Sequence, residues 1–456
     1  MPTQDSSTTD LSVDVDIPDN YIHHTLQTTE HLRPITWSNF WRELNYVNLA
    51  VTGIPHLLVL YGVPTTNLER TTAMFAALYY FITGLGITAG YHRYWAHRSY
   101  NASQPLQYFL AIAGSGAGQG TIKWWARGHR AHHRYTDTPL DPYDITKGLM
   151  WAHIGWIVFK PRRRQGVSDI SDLRASHVVR WQAKHYLWLL LFMALGLPTL
   201  IPGLCWGDWR GGFVYAGAVR LCCVYHSTWC VNSLAHYLGD APFDDKHTPR
   251  DHVITALATN GEGYHNFHHQ FPTDYRSAIE WYQYDPTKWF IWACSKAGLA
   301  SHLKVFPQNE VAKGQLTMKL KQLYKEQGAL RWPPDIANLP VVSWSSFQDQ
   351  AKKHQVILIS GFIYDVSAFI EEHPGGSHIL LNHIGKDASF AFFGGVYEHS
   401  NAAHNLLSMM RVGILHGGHP HALEEKVMPS SQRLRIARYN ELPAHWSATD
   451  GDTMID

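Results

Sequence analysis

Four apolar stretches constrain the fold of this chain more than any other feature. Each approaches the 20 or so residues that a helix needs to cross about 30 Å of hydrocarbon. Short connections join them in pairs, which predicts two helical hairpins in a membrane. A low charged content of 16% and the presence of 18 Trp also favour a membrane protein. The four predicted spans are approximately residues 46–63, 71–91, 186–204 and 212–234.

Basic residues predict how these spans are oriented. The long segment between the second and third spans is rich in Lys and Arg, including Arg127, Arg134 and Lys160. The two short connections contain only Arg70 and Arg210. Because basic loops stay on the cytosolic side, the long segment and both termini are predicted to be cytosolic. A net charge of +1 gives no support to nucleic-acid binding.

Three histidine clusters lie at the ends of the apolar stretches, on the predicted cytosolic side. Their sequences are HRYWAH at 92–97, HRAHH at 129–133 and HNFHH at 265–269, and His236 follows the fourth span. On a helix, a His shares a face with residues three and four positions later. Imidazole binds iron, copper or zinc, and these clusters hold too many imidazoles for one ion. We therefore predict a two-metal site.

Carboxylates near the clusters are predicted to support the metal ligands. A ligating imidazole needs a partner for its second nitrogen, and Asp137, Asp141, Asp144 and Glu262 are candidates. Soluble di-iron bundles instead use Glu ligands and two Glu-x-x-His motifs. Near the clusters this motif occurs once, ending at His265, which disfavours the soluble architecture.

These motifs resemble those of the membrane acyl-CoA desaturases. The likeness runs from about Trp37 to Phe306, includes GITAG at 86–90 and RYTDT at 134–138, and is greatest to the fungal delta-9 stearoyl-CoA desaturases. It implies two non-haem irons, with an Asn that contacts one iron through water. The implied ligands are His92, His97, His129, His132, His133, Asn232, His236, His265, His268 and His269.

The resemblance also implies an acyl chain held in a kinked tunnel between the spans and the cytosolic cap. The positions implied to contact acyl-CoA are Asn48, Gln119, Trp125, Arg127 and Trp229. A guanidinium such as that of Arg127 suits a phosphate or pantetheine oxygen. Trp125 and Trp229 fit a tunnel wall and fit a membrane interface equally well.

A second set of motifs lies near the C-terminus and resembles cytochrome b5. YDVSAF at 364–369 precedes HPGG, which begins at His373, and a further His399 follows. The resemblance implies that His373 and His399 are the axial ligands of a b-type haem. With both axial positions filled, such a haem transfers electrons and leaves no site for O2.

The predicted fold is mainly α. The chain is predicted to be a multi-pass membrane protein with four transmembrane helices and a cytosolic helical cap that holds the di-iron site. A small α+β cytochrome b5-like domain follows. The predicted divisions are a disordered cytosolic N-terminus (1–36), the desaturase domain (37–306), a linker (307–338), the haem domain (339–415) and a mostly disordered tail (416–456).

The expected function is a stearoyl-CoA 9-desaturase-type oxidoreductase of the endoplasmic reticulum membrane. Its expected partners are acyl-CoA, O2, the lipid bilayer and NADH-cytochrome b5 reductase, with electrons passing through the chain's own haem domain. Two alternatives remain open. One is a related hydroxylase, or a desaturase of another position or lipid. The other is a non-catalytic membrane haem protein that carries electrons.

Overall fold

The computed structural model describes residues 34–161, 163, 165–393 and 399–417. The chain divides into two compact units, Met1–Leu320 and Lys321–Asp456. The predicted disordered tail lies outside the described residues from 418 onward, and so does the predicted N-terminal segment up to residue 33. The unit boundary falls within the predicted linker.

The first unit is almost entirely helical, which confirms the predicted fold class for this part of the chain. Within the described ranges, three helices are long and apolar enough to cross a membrane: Tyr46–Thr65, Arg70–Ala96 and His177–Trp206. The fourth predicted span does form a helix at 209–232, but it is not among these three. Its sequence includes Arg220, so the four-span topology stays a prediction.

The α-helices of this unit are α1 (Phe40–Glu43), α2 (Tyr46–Gly62), α3 (Arg70–Leu85), α4 (Gln104–Ser115), α5 (Ile122–Tyr135), α6 (Trp156–Val158), α7 (Ser171–Ala175), α8 (His177–Leu191), α9 (Leu197–Trp206), α10 (Trp209–Gly211), α11 (Arg220–Asn232), α12 (Val253–Ala258), α13 (His265–Gln270), α14 (Pro286–Lys296) and α15 (Gln308–Ala329), the last of which continues into the second unit. A two-residue antiparallel pair joins β1 (Asn101–Ala102) to β2 (Ala300–Ser301).

Side-chain caps explain where several of these helices begin. Thr121 accepts a hydrogen bond from a backbone N–H in the first turn of α5, and Ser176 does the same for α8. Asp285 caps α14, where Pro286 occupies the first position. Such caps satisfy backbone donors that a helix leaves unpaired. The start of α5 matters most here because α5 carries the second histidine cluster.

π-helical segments continue or adjoin several of the long helices. They are Gly86–Ala96, Trp151–Gly155, Phe192–Gly196 and Gly212–Val219. The first runs on from α3 and packs closely against α4, since a Cβ added at Gly86 would lie 2.2 Å from the backbone N of Gly114. π-Helical turns are rare and are often found at functional sites.

Arg220, on the helix at 209–232, is buried. Its guanidinium donates to the backbone carbonyls of Ala216, Gly116 and Ala194 at 2.7–3.1 Å. A buried charge is tolerated only when its donors are satisfied. These bonds hold the helix against the C-terminal end of α4 and the π-segment Phe192–Gly196.

The second unit contains a small mixed sheet, which confirms the predicted α+β domain. Its strands are β3 (Val341–Val342), β4 (Val356–Ile359), β5 (Phe362–Asp365) and β6 (Arg411–Leu415). They run in the order β3-β6-β5-β4, with β3 and β6 parallel and the other pairs antiparallel. Residues of β4 alternate between two apolar cores, one on each face of the sheet. The α-helices of this unit are α16 (Trp344–Ala351), α17 (Ser377–Leu381), α18 (Ser389–Phe393) and α19 (Asn401–Met409).

Candidate metal centre and haem site

The structure brings all nine predicted histidine ligands together in two groups. Within each group, one ring nitrogen from every residue lies within 4.8 Å of the others. We call them the five-histidine group and the four-histidine group. The five-histidine group is His92, His97, His129, His133 and His268, and the four-histidine group is His132, His236, His265 and His269.

The two H-x-x-H-H helices each contribute to both groups. On α5, His129 and His133 belong to the five-histidine group, whereas His132 belongs to the other. On α13, His265 and His269 share a group, whereas His268 points to the opposite one. The three histidines of each motif thus turn toward the same region, but they divide between its two groups. Residues i and i+4 enter one group, and residue i+3 enters the other.

The π-helix Gly86–Ala96 explains the pairing of His92 with His97. Residues five apart do not share a face of an α-helix, but a π-helix forms its hydrogen bonds between residues i and i+5. The backbone N–H of His97 donates to the carbonyl of His92 at 3.0 Å, and their rings lie 4.8 Å apart. Histidine spacing alone does not reveal this π-helix.

Carboxylates fix the tautomers of two ligands. His132 Nδ1 donates to Asp141 at 2.9 Å, and His92 Nδ1 donates to Glu262 at 3.2 Å. Each bond leaves Nε2 as the atom with a free lone pair. Glu262 of the single Glu-x-x-His motif thus contacts a ligand, in keeping with its predicted role as an acceptor. Asp144 bonds instead to Thr146 and Lys147, so its predicted contact with a histidine is absent from the described contacts.

His236 is oriented through a hydroxyl group. Thr248 Oγ1 donates to Asp137 at 2.6 Å and accepts from His236 Nδ1 at 2.8 Å. Asp137 therefore acts on a ligand, as predicted, but only through Thr248. Sequence analysis missed Thr248 because it lies 12 residues from His236, in an irregular segment with no motif.

Lone pairs of closely spaced imidazole nitrogens repel one another unless a cation lies between them. His132 Nε2 lies 3.2 Å from His269 Nε2, and His92 Nε2 lies 2.9 Å from His268 Nε2. Burial, followed by neighbouring imidazoles, holds the pKa of His129 well below its ordinary value. Neutral imidazole is the form that binds metal. The residues present therefore fit two transition-metal ions.

A buried ion-pair network supports this centre and was not predicted. Arg93 donates to Glu262, Asp285 and Ser277 at 2.9–3.0 Å and to the carbonyl of Tyr275. Although burial opposes its ionisation, Arg93 and His92 hold the pKa of the Glu262 carboxyl well below its usual range. Removing one partner of a buried pair costs about 3–5 kcal/mol. The network therefore keeps Glu262 anionic beside His92.

A cavity adjoins the five-histidine group. Its wall residues are Gly84, Ile87, Thr88, His92, Trp125, His129, Val224, Ser227, Thr228, Val231, Asn232, Thr259, Asn260 and Glu262. It therefore combines apolar side chains with three of the implied metal ligands, His92, His129 and Asn232.

The five predicted substrate residues are placed differently with respect to this cavity. Trp125 lines it and stacks on His129 at 5.0 Å. Gln119 accepts from Trp125 Nε1 and donates to Thr228, which also lines it. Asn48, Gln119, Arg127 and Trp229 are not among its wall residues. No contact with acyl-CoA is shown for any of the five, so their substrate-binding roles stay predictions.

The predicted haem ligands also have defined tautomers. His373 Nδ1 donates to the carbonyl of Gly376 at 3.2 Å, and His399 Nδ1 donates to the carbonyl of Phe392 at 2.9 Å. Each bond leaves Nε2 as the nitrogen that could bind a haem iron. A Cβ at Gly375 would lie 2.9 Å from the His373 imidazole Cε1, so a larger residue there would displace this ring. These residues fit a bis-histidine haem.

The fold and the two sites define a helical protein with two histidine groups that could each hold a metal ion, fused to a cytochrome b5-like module. Residues 70–304 match the family described as fatty acid desaturase, and residues 343–416 match the cytochrome b5-like haem/steroid binding domain. The chain belongs to the fatty acid desaturase family, whose members are membrane proteins.

Named relatives support this assignment over most of the chain. A probable acyl-CoA desaturase of Schizosaccharomyces pombe is 50% identical over 85% of this chain and 80% of its own length. Acyl-CoA desaturase 1 of Saccharomyces cerevisiae is 44% identical over 87% of this chain and 79% of its own length. A stearoyl-CoA desaturase of Homo sapiens is 36% identical over 60% of this chain and 77% of its own length. The predicted resemblance is thereby confirmed.

The hydroxyl contact to His236 gives a test of the four-histidine group. We expect Thr248→Val, which preserves shape but removes the hydroxyl, to weaken metal binding there by about 10–100-fold. Thr248→Ser should retain it. The metal content of each purified variant checks this, and equal metal content in the Val and Ser variants would contradict it.

Proposed function

We propose that this protein is an O2-dependent acyl-CoA desaturase. It introduces a cis double bond at the delta-9 position of stearoyl-CoA or palmitoyl-CoA. The observation that carries the proposal is the cavity lined by His92, His129 and apolar side chains, because it would place a methylene beside the metal groups. The acyl-CoA desaturases named among its relatives support this substrate class.

The proposed cofactors are two non-haem irons and one b-type haem. When bound, the irons would supply the activation of O2 that removal of hydrogen from an unactivated methylene requires. Trp125 packs on His129 and is held by Gln119, which orients one wall of the cavity. Apolar walls exclude water and protect the site from side reactions.

The proposed setting is the endoplasmic reticulum membrane, with the metal site and both termini in the cytosol. Electrons would come from NADH through cytochrome b5 reductase and the chain's own haem. Covalent tethering raises the local donor concentration to the millimolar range when a linker can reach. The fused haem domain supports this route.

The decisive experiment is expression in cells that lack their own desaturase. Fatty-acid profiling that locates the double bond should detect delta-9 monounsaturated products. A hydroxy product, or a double bond elsewhere, would support the alternative enzymes. Consumption of O2 coupled to loss of stearoyl-CoA excludes a simple electron carrier, because a carrier shows neither.

Metal analysis provides an independent prediction. The purified protein should contain two non-haem irons and one haem, because nine imidazoles and a bis-histidine site are present. Removal of non-haem iron with a chelator should abolish desaturation while the haem spectrum remains. Stoichiometric zinc without iron would contradict the oxidative function.

Chain length is predicted to depend on Gly84, which lines the cavity. A Cβ at this position would lie 2.5 Å from Asn260 Nδ2, so Gly84→Ala should narrow the cavity. We expect the ratio of sixteen- to eighteen-carbon products to rise about tenfold, the effect of one methylene in a pocket. Gly53→Ala, where nothing lies within 4 Å of the added atom, is the matched control. An unchanged product ratio would exclude Gly84 from chain-length selection.

A further inference from the structure

Helix α12 and a segment that follows α13 expose large apolar side chains. Three exposed residues of α12 lie within about one turn and so share a face, and two exposed aromatic residues lie in the later segment. We call these five residues the α12 surface: Val253, Ile254, Leu257, Trp281 and Tyr282. Trp281 is the most exposed of them, at 81%. A contiguous apolar surface of this kind marks a contact with a membrane or with another protein.

Packing holds the two parts of the α12 surface together. Ala256, on the buried side of α12, packs with Tyr264 and Ala278 in one apolar cluster. Ala278 lies three residues before Trp281, so this cluster brings Trp281 beside α12. The carbonyl of Trp281 also accepts a hydrogen bond from Trp289 Nε1 of α14 at 3.1 Å. The aliphatic and aromatic residues therefore belong to one surface.

Contacts with the second predicted span fix the level of this surface relative to the membrane. Asn260 follows the end of α12 by two residues, and a Cβ at Gly84 would lie 2.5 Å from its Nδ2. Thr287, near the start of α14, hydrogen-bonds to Thr88 at 2.7 Å. Gly84 lies seven residues before the cytosolic end of the predicted span at residue 91, which is about 10 Å at the rise of a helix. The elements that carry the α12 surface are therefore attached below the cytosolic end of this span.

The charge of exposed side chains differs between the α12 surface and the region beyond the span. None of residues 253–258 is charged. Beyond the end of the span, Arg98 forms ion pairs with Asp169 and Asp172 at 3.9 and 2.8 Å, and these three side chains are 35–72% exposed. Charged side chains are costly in hydrocarbon and are not costly in water. The change from apolar to charged residues is therefore the one expected where lipid gives way to water.

We propose that the α12 surface lies in the cytosolic leaflet of the bilayer, against phospholipid headgroups and the upper part of the acyl chains. An interfacial helix buries its apolar face about 5–10 Å into this region, which matches the level of the contacts with Gly84 and Thr88. Trp and Tyr are enriched at this depth because their rings combine an apolar body with a polar edge. The cap that carries the metal groups is therefore anchored in the leaflet in addition to its connection to the spans.

This placement also concerns the cavity beside the metal groups. Thr259 and Asn260 follow α12 directly and line that cavity. The segment 253–260 therefore faces lipid through α12 and faces the cavity through its last two residues. The placement rests on the predicted span and not on the proposed desaturase activity, so its tests need no turnover.

Oxidative footprinting of the unsubstituted protein tests the proposal without changing a residue. The full-length protein in phosphatidylcholine nanodiscs receives a brief pulse of hydroxyl radicals, and peptide mass spectrometry locates the oxidised Trp residues. Trp281 should be protected like Trp188, which is 74% exposed on the third predicted span. Trp344, which is 51% exposed in the second unit, should be oxidised. Oxidation of Trp281 to the same extent as Trp344 would overturn the proposal.

Photocrosslinking identifies what covers the surface. The photoreactive residue p-benzoylphenylalanine replaces Ile254, Leu78 or Asp169 in turn, because Leu78 is exposed on α3 and Asp169 lies beyond the span. On irradiation in nanodiscs that hold one copy each, the Ile254 and Leu78 positions should form phospholipid adducts, and Asp169 should form none. Retained non-haem metal shows that a variant is folded, and Leu257 takes the place of Ile254 if that variant is not. In native membranes, an adduct with a second copy or with another protein instead of lipid would contradict the proposal.

Discussion

His132→Ala should abolish desaturation while leaving the haem spectrum unchanged. His132 contributes Nε2 to the four-histidine group, and Asp141 fixes its tautomer at 2.9 Å. Loss of a group that only orients a ligand costs about 10–100-fold in activity, so loss of the ligand itself should exceed about 100-fold. Turnover of stearoyl-CoA and the haem absorbance of the same sample measure both effects.

Comparison with His133→Ala makes this test specific. His132 and His133 are adjacent, yet they belong to different groups. Each substitution should therefore eliminate activity, but each should weaken a different iron site, which Mössbauer spectroscopy of 57Fe-loaded protein distinguishes. His185→Ala is the control for general loss of histidine. A His132→Ala protein that still desaturates would remove this residue from the ligand set.

Sequence reasoning identified the histidines but not how they divide. The three clusters supply eight of the nine imidazoles, because each cluster is local and lies at the end of an apolar stretch, and the ninth, His236, follows the fourth predicted span. Which ring joins which group depends on rotation around α5 and α13 and on how these helices face each other. The π-helix that unites His92 with His97 also depends on packing, including the close contact of Gly86 with α4.

Carboxylates that lie close to a cluster in sequence were predictable as supporting groups, but their partners were not. Asp141 lies nine residues from its partner His132, whereas Glu262, also a candidate, contacts His92 across 170 residues. Thr248 and Asp285 carry no motif, and their roles arise from tertiary contacts alone. Long-range polar contacts of this kind are fixed by the fold, not by local propensity.

The membrane spans show a similar limit. Apolar length predicted three helices correctly, but the helix at 209–232 contains Arg220 and His226. Arg220 is satisfied by three carbonyls of neighbouring segments, and His226 by two other histidines. The polar side chains of this helix therefore form hydrogen bonds with other segments, and a hydropathy scale does not take such bonds into account.

His373→Ala should abolish electron delivery from within the chain. Two axial imidazoles hold the haem, and loss of one opens a coordination position and weakens haem binding. We expect NADH-driven desaturation to fall more than about tenfold, because a tethered donor acts at an effective concentration in the millimolar range. Addition of separate reduced cytochrome b5 should restore it, since the metal groups are untouched. His383→Ala, which replaces a ring bonded to the carbonyl of Ile379, should retain haem and activity. Full activity of His373→Ala without any added donor would show that electrons bypass this haem.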